Sequence, residues 1–222
     1  MPSNQPIGIF DSGFGGLTVA RAIIDLLPSE DIVYFGDTSR YPYGPQSLEE
    51  VKSYSDQISE YLIAEHDVKM IVIACNTASA AAEDSLRGST EIPIVGVIKP
   101  GAQAVAEVSV TKRIGVIGTV GTINSHAYEN VIKGINPQNI QLISVACPGF
   151  VEFVERGEFF GEQVRILADR LLAPVVEADV DALLLGCTHY PYLARTIGES
   201  VGEGVTLVSS ADETAFAVAK TL

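Results

Sequence analysis

The sequence has 222 residues, of which 47% are hydrophobic, so it can form one large α/β domain or two small ones. Its formal net charge of −14 argues against a nucleic-acid-binding surface. It contains three cysteines, no secretory signal pattern and no apolar run long enough to span a bilayer. We therefore expect a cytoplasmic protein with free thiols and no membrane partner.

Strands and helices alternate along the first half of the sequence. The predicted strands are Ile7 to Asp11, Asp31 to Phe35, Met70 to Ala74 and Ile92 to Val97, and the predicted helices are Leu17 to Leu27, a long helix after the capping box of Ser47 and Glu50, and Thr77 to Leu86. Such alternation predicts a mostly parallel sheet. The loop from Gly36 to Pro45, dense in Tyr, Pro and Gly beside a sheet edge, is expected to be functional.

The second half repeats this pattern after a break at Lys99, Pro100 and Gly101, which precedes a helical stretch that runs to about Val108. I-G-V-I-G-T-V-G-T from Ile114 resembles I-G-I-F-D-S-G-F-G from Ile7. The predicted strands are Arg113 to Gly118, Ile140 to Ala146, Leu183 to Gly186 and Val205 to Val208, and the predicted helices are Phe150 to Arg156, Gly161 to Val176 and Ala211 to Leu222.

This repetition predicts an α/β fold of two similar halves with mostly parallel sheets, related by a pseudo-twofold axis, with the active site in the cleft between them. We place the first domain at residues 1–98 together with 209–222 and the second domain at residues 99–208.

Two cysteines occupy equivalent positions in the halves. Cys75 and Cys187 each follow a buried apolar strand, at the carboxyl edge where parallel sheets bind ligands. The helix after Cys75 presents unpaired N–H groups, which predicts a favoured, reactive thiolate. Cys147 has no polar companion and is predicted to be a core residue.

Several chemistries compete for these residues. Cys75, Cys187 and His189 are too few ligands at the wrong spacing for zinc, so we expect no metal. A disulfide between the two cysteines is disfavoured in a reducing compartment. Hydrolysis by a Cys–His pair would need only one cysteine. One acid–base group on each side of a cleft suits proton removal on one face of a carbon and delivery on the other, which is racemisation or epimerisation.

Asp11 and His189 are the natural companions of the two thiols. Asp11 ends the first strand, where a carboxylate can hold an ammonium group, orient a nearby base or cap the following turn. His189 adjoins Cys187 and can exchange protons with it. The turn from Ser12 to Gly16 lacks the spacing of the known nucleotide-binding motifs.

Five stretches together resemble the glutamate racemases. They are F-D-S-G-F-G-G-L-T-V from Phe10, Y-F-G-D-T-S-R-Y-P-Y-G from Tyr34, A-C-N-T-A-S from Ala74, C-P-G-F-V-E-F-V-E-R-G from Cys147 and G-C-T-H-Y-P from Gly186, in the family's order over essentially the whole chain. The resemblance implies a cofactor-independent enzyme that interconverts L- and D-glutamate and supplies D-glutamate for bacterial peptidoglycan. Aspartate racemase, a related amino-acid racemase and a non-catalytic amino-acid-binding module stay open as alternatives.

The same resemblance implies roles for individual residues. Cys75 would act on the D-enantiomer and Cys187 on the L-enantiomer, assisted by Asp11 and by Glu155 or His189. The substrate-binding residues would be Asp11, Ser12, Tyr43, Gly44, Asn76, Thr77, Thr188 and His189. We expect Glu155 rather than Glu152 to point into the site. Glutamate is the expected small-molecule partner, and a homodimer is the expected assembly. The family normally continues beyond the position of Leu222 with structure that packs on the first half.

Overall fold

The computed structural model describes residues 4–135 and 140–222. In the first half the strands are β1 (Ile7–Asp11), β2 (Ile32–Gly36), β3 (Met70–Ile73) and β4 (Ile94–Gly96), and the helices are α1 (Leu17–Leu26), α2 (Leu48–His66) and α3 (Asn76–Ser89). The four strands are parallel, in the order β2-β1-β3-β4. The predicted capping box of Ser47 and Glu50 starts α2. β3 is buried along its whole length, as its unbroken apolar character predicts, and β1 is buried throughout even though it ends in Asp11.

The second half has the same architecture. Its strands are β5 (Arg113–Gly118), β6 (Gln141–Ala146), β7 (Ala182–Gly186) and β8 (Thr206–Ser209), and its helices are α4 (Ile98–Val108), α5 (Val120–Asn124), α6 (Ala127–Ile135), α7 (Phe150–Glu155), α8 (Glu162–Glu177) and α9 (Ala194–Val201). The last helix, α10 (Ser210–Thr221), follows β8. The parallel strands lie in the order β6-β5-β7-β8, the counterpart of the first sheet. The expectation of two similar α/β halves is confirmed.

The chain passes between the halves through α4 and again after β8. α10 packs against α1 and α4, and its Ala215 and Val218 join Ile7, Ile9 and Val72 in the core of the first half. These contacts support the prediction that residues 209–222 belong with the first domain. Among the described residues, no helix is long and apolar enough to cross a membrane.

The predicted break at Lys99, Pro100 and Gly101 was wrong, because all three residues lie in the first turn of α4. Proline is tolerated there, since the first N–H groups of a helix have no acceptor within the helix. The sequence also missed α5, α6, α9 and a 3₁₀ turn at Tyr190–Leu193.

Candidate active site

A cavity of about 90 Å³ lies between the carboxyl ends of the two sheets. Cys75 and Cys187 line it from opposite halves and are only 5% and 7% exposed. The predicted binding residues that line the same cavity are Ser12, Tyr43, Gly44, Asn76, Thr77, Thr188 and His189. The described lining contains neither lysine nor arginine. Any anionic ligand would therefore be bound by neutral donors and by helix N-termini.

Cys75 caps the N-terminus of α3. Its Sγ accepts a hydrogen bond from the backbone N–H of Ala78 at 3.5 Å, and it lies 3.8 Å from the Oγ of Ser12. Behind this pair lies Asp11, which is fully buried, and whose Oδ2 accepts from the N–H of Gly13 at 2.9 Å. Burial raises the pKa of Asp11, and the hydrogen bond from Gly13 and the charge of His189 oppose that rise.

Burial, with a contribution from the negative charge of Asp11, raises the pKa of the Cys75 thiol to about 11, although hydrogen bonds from Ala78 and Ser12 oppose the rise. Burial also raises the pKa of Cys187, with added contributions from the charges of Cys75 and Asp11. The expectation that a helix N-terminus leaves the thiolate favoured was wrong for Cys75. The loss of hydration in the closed cavity outweighs the few N–H groups that face the sulfur.

Cys187 has an imidazole as its companion. Its Sγ lies 3.9 Å from Nδ1 of His189, and Nε2 of His189 lies 2.6 Å from Oε1 of Glu155 on α7. Thr188 Oγ1 also lies 3.4 Å from Nδ1 of His189. Glu152 lines the cavity but Glu155 is the acid that contacts His189. The structure therefore brings together a thiol, an imidazole and a carboxylate, with the imidazole between the other two.

Thr188 links the companion groups Asp11 and His189 across the cleft. Thr188 Oγ1 lies 3.4 Å from Oδ1 of Asp11 and donates to it. The turn after β1 approaches so closely that a Cβ on Gly15 would lie 2.4 Å from Thr188 Oγ1 and 2.7 Å from the His189 ring. A larger residue at Gly15 would push the halves apart, so glycine is required for this approach.

A second set of contacts joins the halves at another edge of the cavity. Thr77 Oγ1 lies 2.9 Å from Thr119 Oγ1 and 3.2 Å from Thr122 Oγ1, and the amide of Asn76 donates to Tyr128 at 2.7 Å. These three partners belong to the second half, at the N-terminus of α5, in α5 and in α6. These contacts between the halves therefore fix Asn76 and Thr77, two of the predicted substrate-binding residues.

The loop from Gly36 to Pro45 borders the cavity, as expected for a functional loop. Tyr43 lines the cavity, but its hydroxyl donates to Asp37, and the carbonyl of Gly44 accepts from the N–H of Gly121 at 2.9 Å. Because the Tyr43 hydroxyl and the Gly44 carbonyl already form hydrogen bonds within the protein, Tyr43 and Gly44 can offer a ligand only their remaining atoms. Tyr41, which the sequence did not single out, places its ring 6.2 Å from that of His189.

Residues 8–218 match the family described as Asp/Glu/Hydantoin racemase. The chain belongs to this family. Glutamate racemase from Geobacter metallireducens is 53% identical to it over 98% of this chain and 80% of that protein. Glutamate racemase from Bacillus cereus is 46% identical over 100% of this chain and 82% of that protein.

Solved structures of glutamate racemases share the fold of this Asp/Glu/Hydantoin racemase family member. The RacE1 isoform from Bacillus anthracis is 44% identical, with a TM-score of 0.93 over 97% of this chain and 80% of that one. The enzyme from Francisella tularensis, solved in complex with D-glutamate, is 38% identical, with a TM-score of 0.91 over 98% of this chain and 80% of that one.

Sequence reasoning missed four polar residues around the cavity of this family member. Thr119 occupies in the second half the place of Ser12 in the first, as the repeated motif shows, so a signal for it was present. Asp37, Thr122 and Tyr128 act on other side chains rather than on the cavity directly. No short motif marks Thr122 and Tyr128, because their partners Thr77 and Asn76 are distant in sequence.

Proposed function

We propose that this protein interconverts L- and D-glutamate by taking the α-proton with one cysteine and delivering a proton with the other. The observation that carries this proposal is that Cys75 and Cys187 line one cavity from equivalent positions in the two halves. Two acid–base groups on opposite sides of one carbon are what inversion requires. A binding module would have no use for a second buried thiol.

Binding relies on neutral donors. Glutamate carries two carboxylates, and the cavity offers the N-terminus of α3 and the hydroxyl groups of Ser12 and Thr188, while Asn76 lines the same cavity. Helix N-termini bind anions through unpaired N–H groups and a partial positive charge. Asp11 lies close behind and supplies the negative charge that an ammonium group needs. We propose that these residues, with Thr77, His189, Tyr43 and Gly44, hold the substrate.

The chemical step follows from the two thiols. Starting from L-glutamate, the thiolate of Cys187 removes the α-proton and becomes a thiol, and the thiol of Cys75 protonates the opposite face and becomes a thiolate. The reverse direction starts at Cys75. His189, hydrogen-bonded to Glu155, exchanges a proton with Cys187, and Asp11 assists Cys75.

A raised pKa suits these bases. The α-proton of an amino acid is weakly acidic, so a thiolate with a raised pKa accepts it with a smaller uphill step. The same burial that raises the pKa of both cysteines excludes water from the carbanion-like intermediate.

We propose that the D-glutamate formed enters bacterial peptidoglycan, that the enzyme works in the cytoplasm without a cofactor, and that it is a homodimer. Sedimentation of the purified protein tests the last of these points.

The decisive experiment uses deuterium oxide and no added cofactor. Thiols exchange with solvent rapidly, so the waiting thiol carries a deuteron before turnover begins. Early in conversion of L-glutamate, the D-glutamate formed should contain deuterium at the α-carbon, while the remaining L-glutamate should be almost unlabelled. Heavy early labelling of recovered L-glutamate would contradict the two-base mechanism.

Faster conversion of aspartate than of glutamate would reassign the substrate, and no conversion of either would leave a binding module.

A further inference from the structure

Tyr128 is a buried residue outside the proposed reaction that nevertheless reaches the cavity wall. It lies on α6 in the second half and is 2% exposed. Its ring packs beneath Gly186, where a Cβ would lie 3.0 Å from Tyr128 Cε2. Gly186 immediately precedes Cys187, so the ring is fixed against the end of β7. Its hydroxyl therefore points toward the first half.

That hydroxyl has one side-chain partner in the first half. Asn76, which lines the cavity and is 2% exposed, donates from Nδ2 to Tyr128 OH at 2.7 Å. The other end of the same amide, Oδ1, is buried and has no hydrogen-bond partner among the described residues. Buried polar atoms are almost always paired, and an unpaired one calls for an explanation.

We propose that Tyr128 is a positioning residue that fixes the amide of Asn76 so that its free end is presented to the substrate. This inference rests on the proposed function and goes beyond it in assigning a residue that does not itself touch glutamate. An asparagine amide anchored at one end loses its rotational freedom before the ligand arrives. Binding then does not have to supply that ordering, which is the general advantage of preorganisation.

The tyrosine hydroxyl is suited to this task because it can both accept and donate a hydrogen bond. It accepts from Nδ2 when Oδ1 is the free end, and it can donate to Oδ1 when Nδ2 is the free end. Phenylalanine would preserve the packing under Gly186 and remove only this anchor. The contact also crosses between the halves, so it places a binding group of the first half relative to Cys187 of the second.

The test is a double-mutant cycle of Tyr128→Phe and Asn76→Ala, with kcat and KM measured in both directions. Loss of one hydrogen bond that acts equally on bound substrate and transition state should raise KM about tenfold in Tyr128→Phe and leave kcat within about twofold. In the Asn76→Ala background, Tyr128→Phe should change KM by less than about twofold.

Thr196→Val is the matched control, because it removes another buried hydroxyl of the second half, one that donates to the carbonyl of Phe159. It should lower the melting temperature about as much as Tyr128→Phe and leave KM unchanged. A merely structural role for Tyr128 would lower the active fraction, and therefore kcat, without raising KM.

Two results would overturn the inference: an unchanged KM in Tyr128→Phe, or the same rise in KM with and without Asn76. Absence of racemisation by the wild-type protein would instead defeat the proposed function, so the two failures are distinguishable.

Discussion

The two halves of the molecule share strand order and thiol position but differ in the group that accompanies each thiol. In the first half the end of β1 carries Asp11, and the corresponding end of β5 carries Gly118. In the second half His189 stands two residues after Cys187, at the place that Thr77 has after Cys75. Each cysteine therefore has a companion from its own half, but one is a buried carboxylate and the other an imidazole bound to Glu155.

The fold repeats the positions of the two thiols, but it does not repeat the residues that accompany them. The repeated sheets fix the two sulfurs, which is the symmetric requirement of inversion at carbon. The substrate itself is not symmetric, because its ammonium and carboxylate groups present different neighbours to the two faces. We therefore expect the two equivalent thiols to have different companions, each at a position whose counterpart in the other half carries a different residue: Gly118 for Asp11 and Thr77 for His189.

The largest expected effect comes from removing either thiol. Cys75→Ala and Cys187→Ala should each lower kcat/KM at least about a thousandfold, because each removes an acid–base group that no neighbour replaces. Cys147→Ala is the matched control, since it removes a third buried thiol that borders the same cavity. Comparable loss in all three variants, measured by circular dichroism of the glutamate enantiomers, would mean that packing and not proton transfer is being disturbed.

The next prediction sharpens the comparison by replacing the companions. Asp11→Asn and His189→Asn should each slow one chemical step about a hundredfold, the first from D-glutamate and the second from L-glutamate. Both directions share one equilibrium constant, so kcat/KM falls equally in each. The primary isotope effect with α-deuterated substrates reveals the asymmetry. It should rise for the D-enantiomer in Asp11→Asn and for the L-enantiomer in His189→Asn, and equal rises would refute distinct assignments.

A smaller effect is expected at Glu155, which contacts His189 and not the thiol of Cys187. Glu155→Gln should lower the rate from L-glutamate about tenfold, because a neutral amide stabilises a protonated His189 less than a carboxylate does. Glu152→Gln removes the same charge from the same helix, at the cavity wall but away from His189 in the hydrogen-bond network. A larger loss in Glu152→Gln than in Glu155→Gln would reverse the assignment of the two acids.

The smallest expected effect is a shift in the pKa of Cys75. The ionised carboxylate of Asp11 repels the thiolate of Cys75, so Asp11→Asn should move the pKa of Cys75 downward from about 11. Alkylation of Cys75 by iodoacetamide, followed by peptide mass spectrometry across pH, measures this shift. Cys187, for which Asp11 is a lesser cause of the raised pKa, should move less. An upward shift of Cys75 would contradict the electrostatic account.

Much of this arrangement could be predicted from sequence because it depends on local patterns. The apolar runs of β3 and β7 placed Cys75 and Cys187 at sheet edges, and the motif repeated at Ile7 and Ile114 predicted two similar halves. The resemblance pointed to Glu155 rather than Glu152 as the acid that faces the site, whereas the cavity lining contains Glu152, and Glu155 contacts His189. Helix α9 was not predicted, because Gly198 lowers its helical propensity and packing against α8 stabilises it instead.

Other features depend on quantities that a linear pattern does not contain. The direction of the pKa shift at Cys75 is decided by how completely the folded cavity excludes water. The contact of Tyr128 with Asn76 joins residues 52 positions apart, on a helix that the sequence did not indicate. Such contacts are set by how the two halves dock.

The return of α10 to the first half bears on how the chain is made. Ala215 and Val218 complete a core that begins with Ile7 and Ile9, so residues near the two ends of the sequence share one apolar cluster. A ribosome synthesises the whole second half before it supplies this helix. One face of the sheet in the first half therefore stays incompletely covered during synthesis until α10 packs on it.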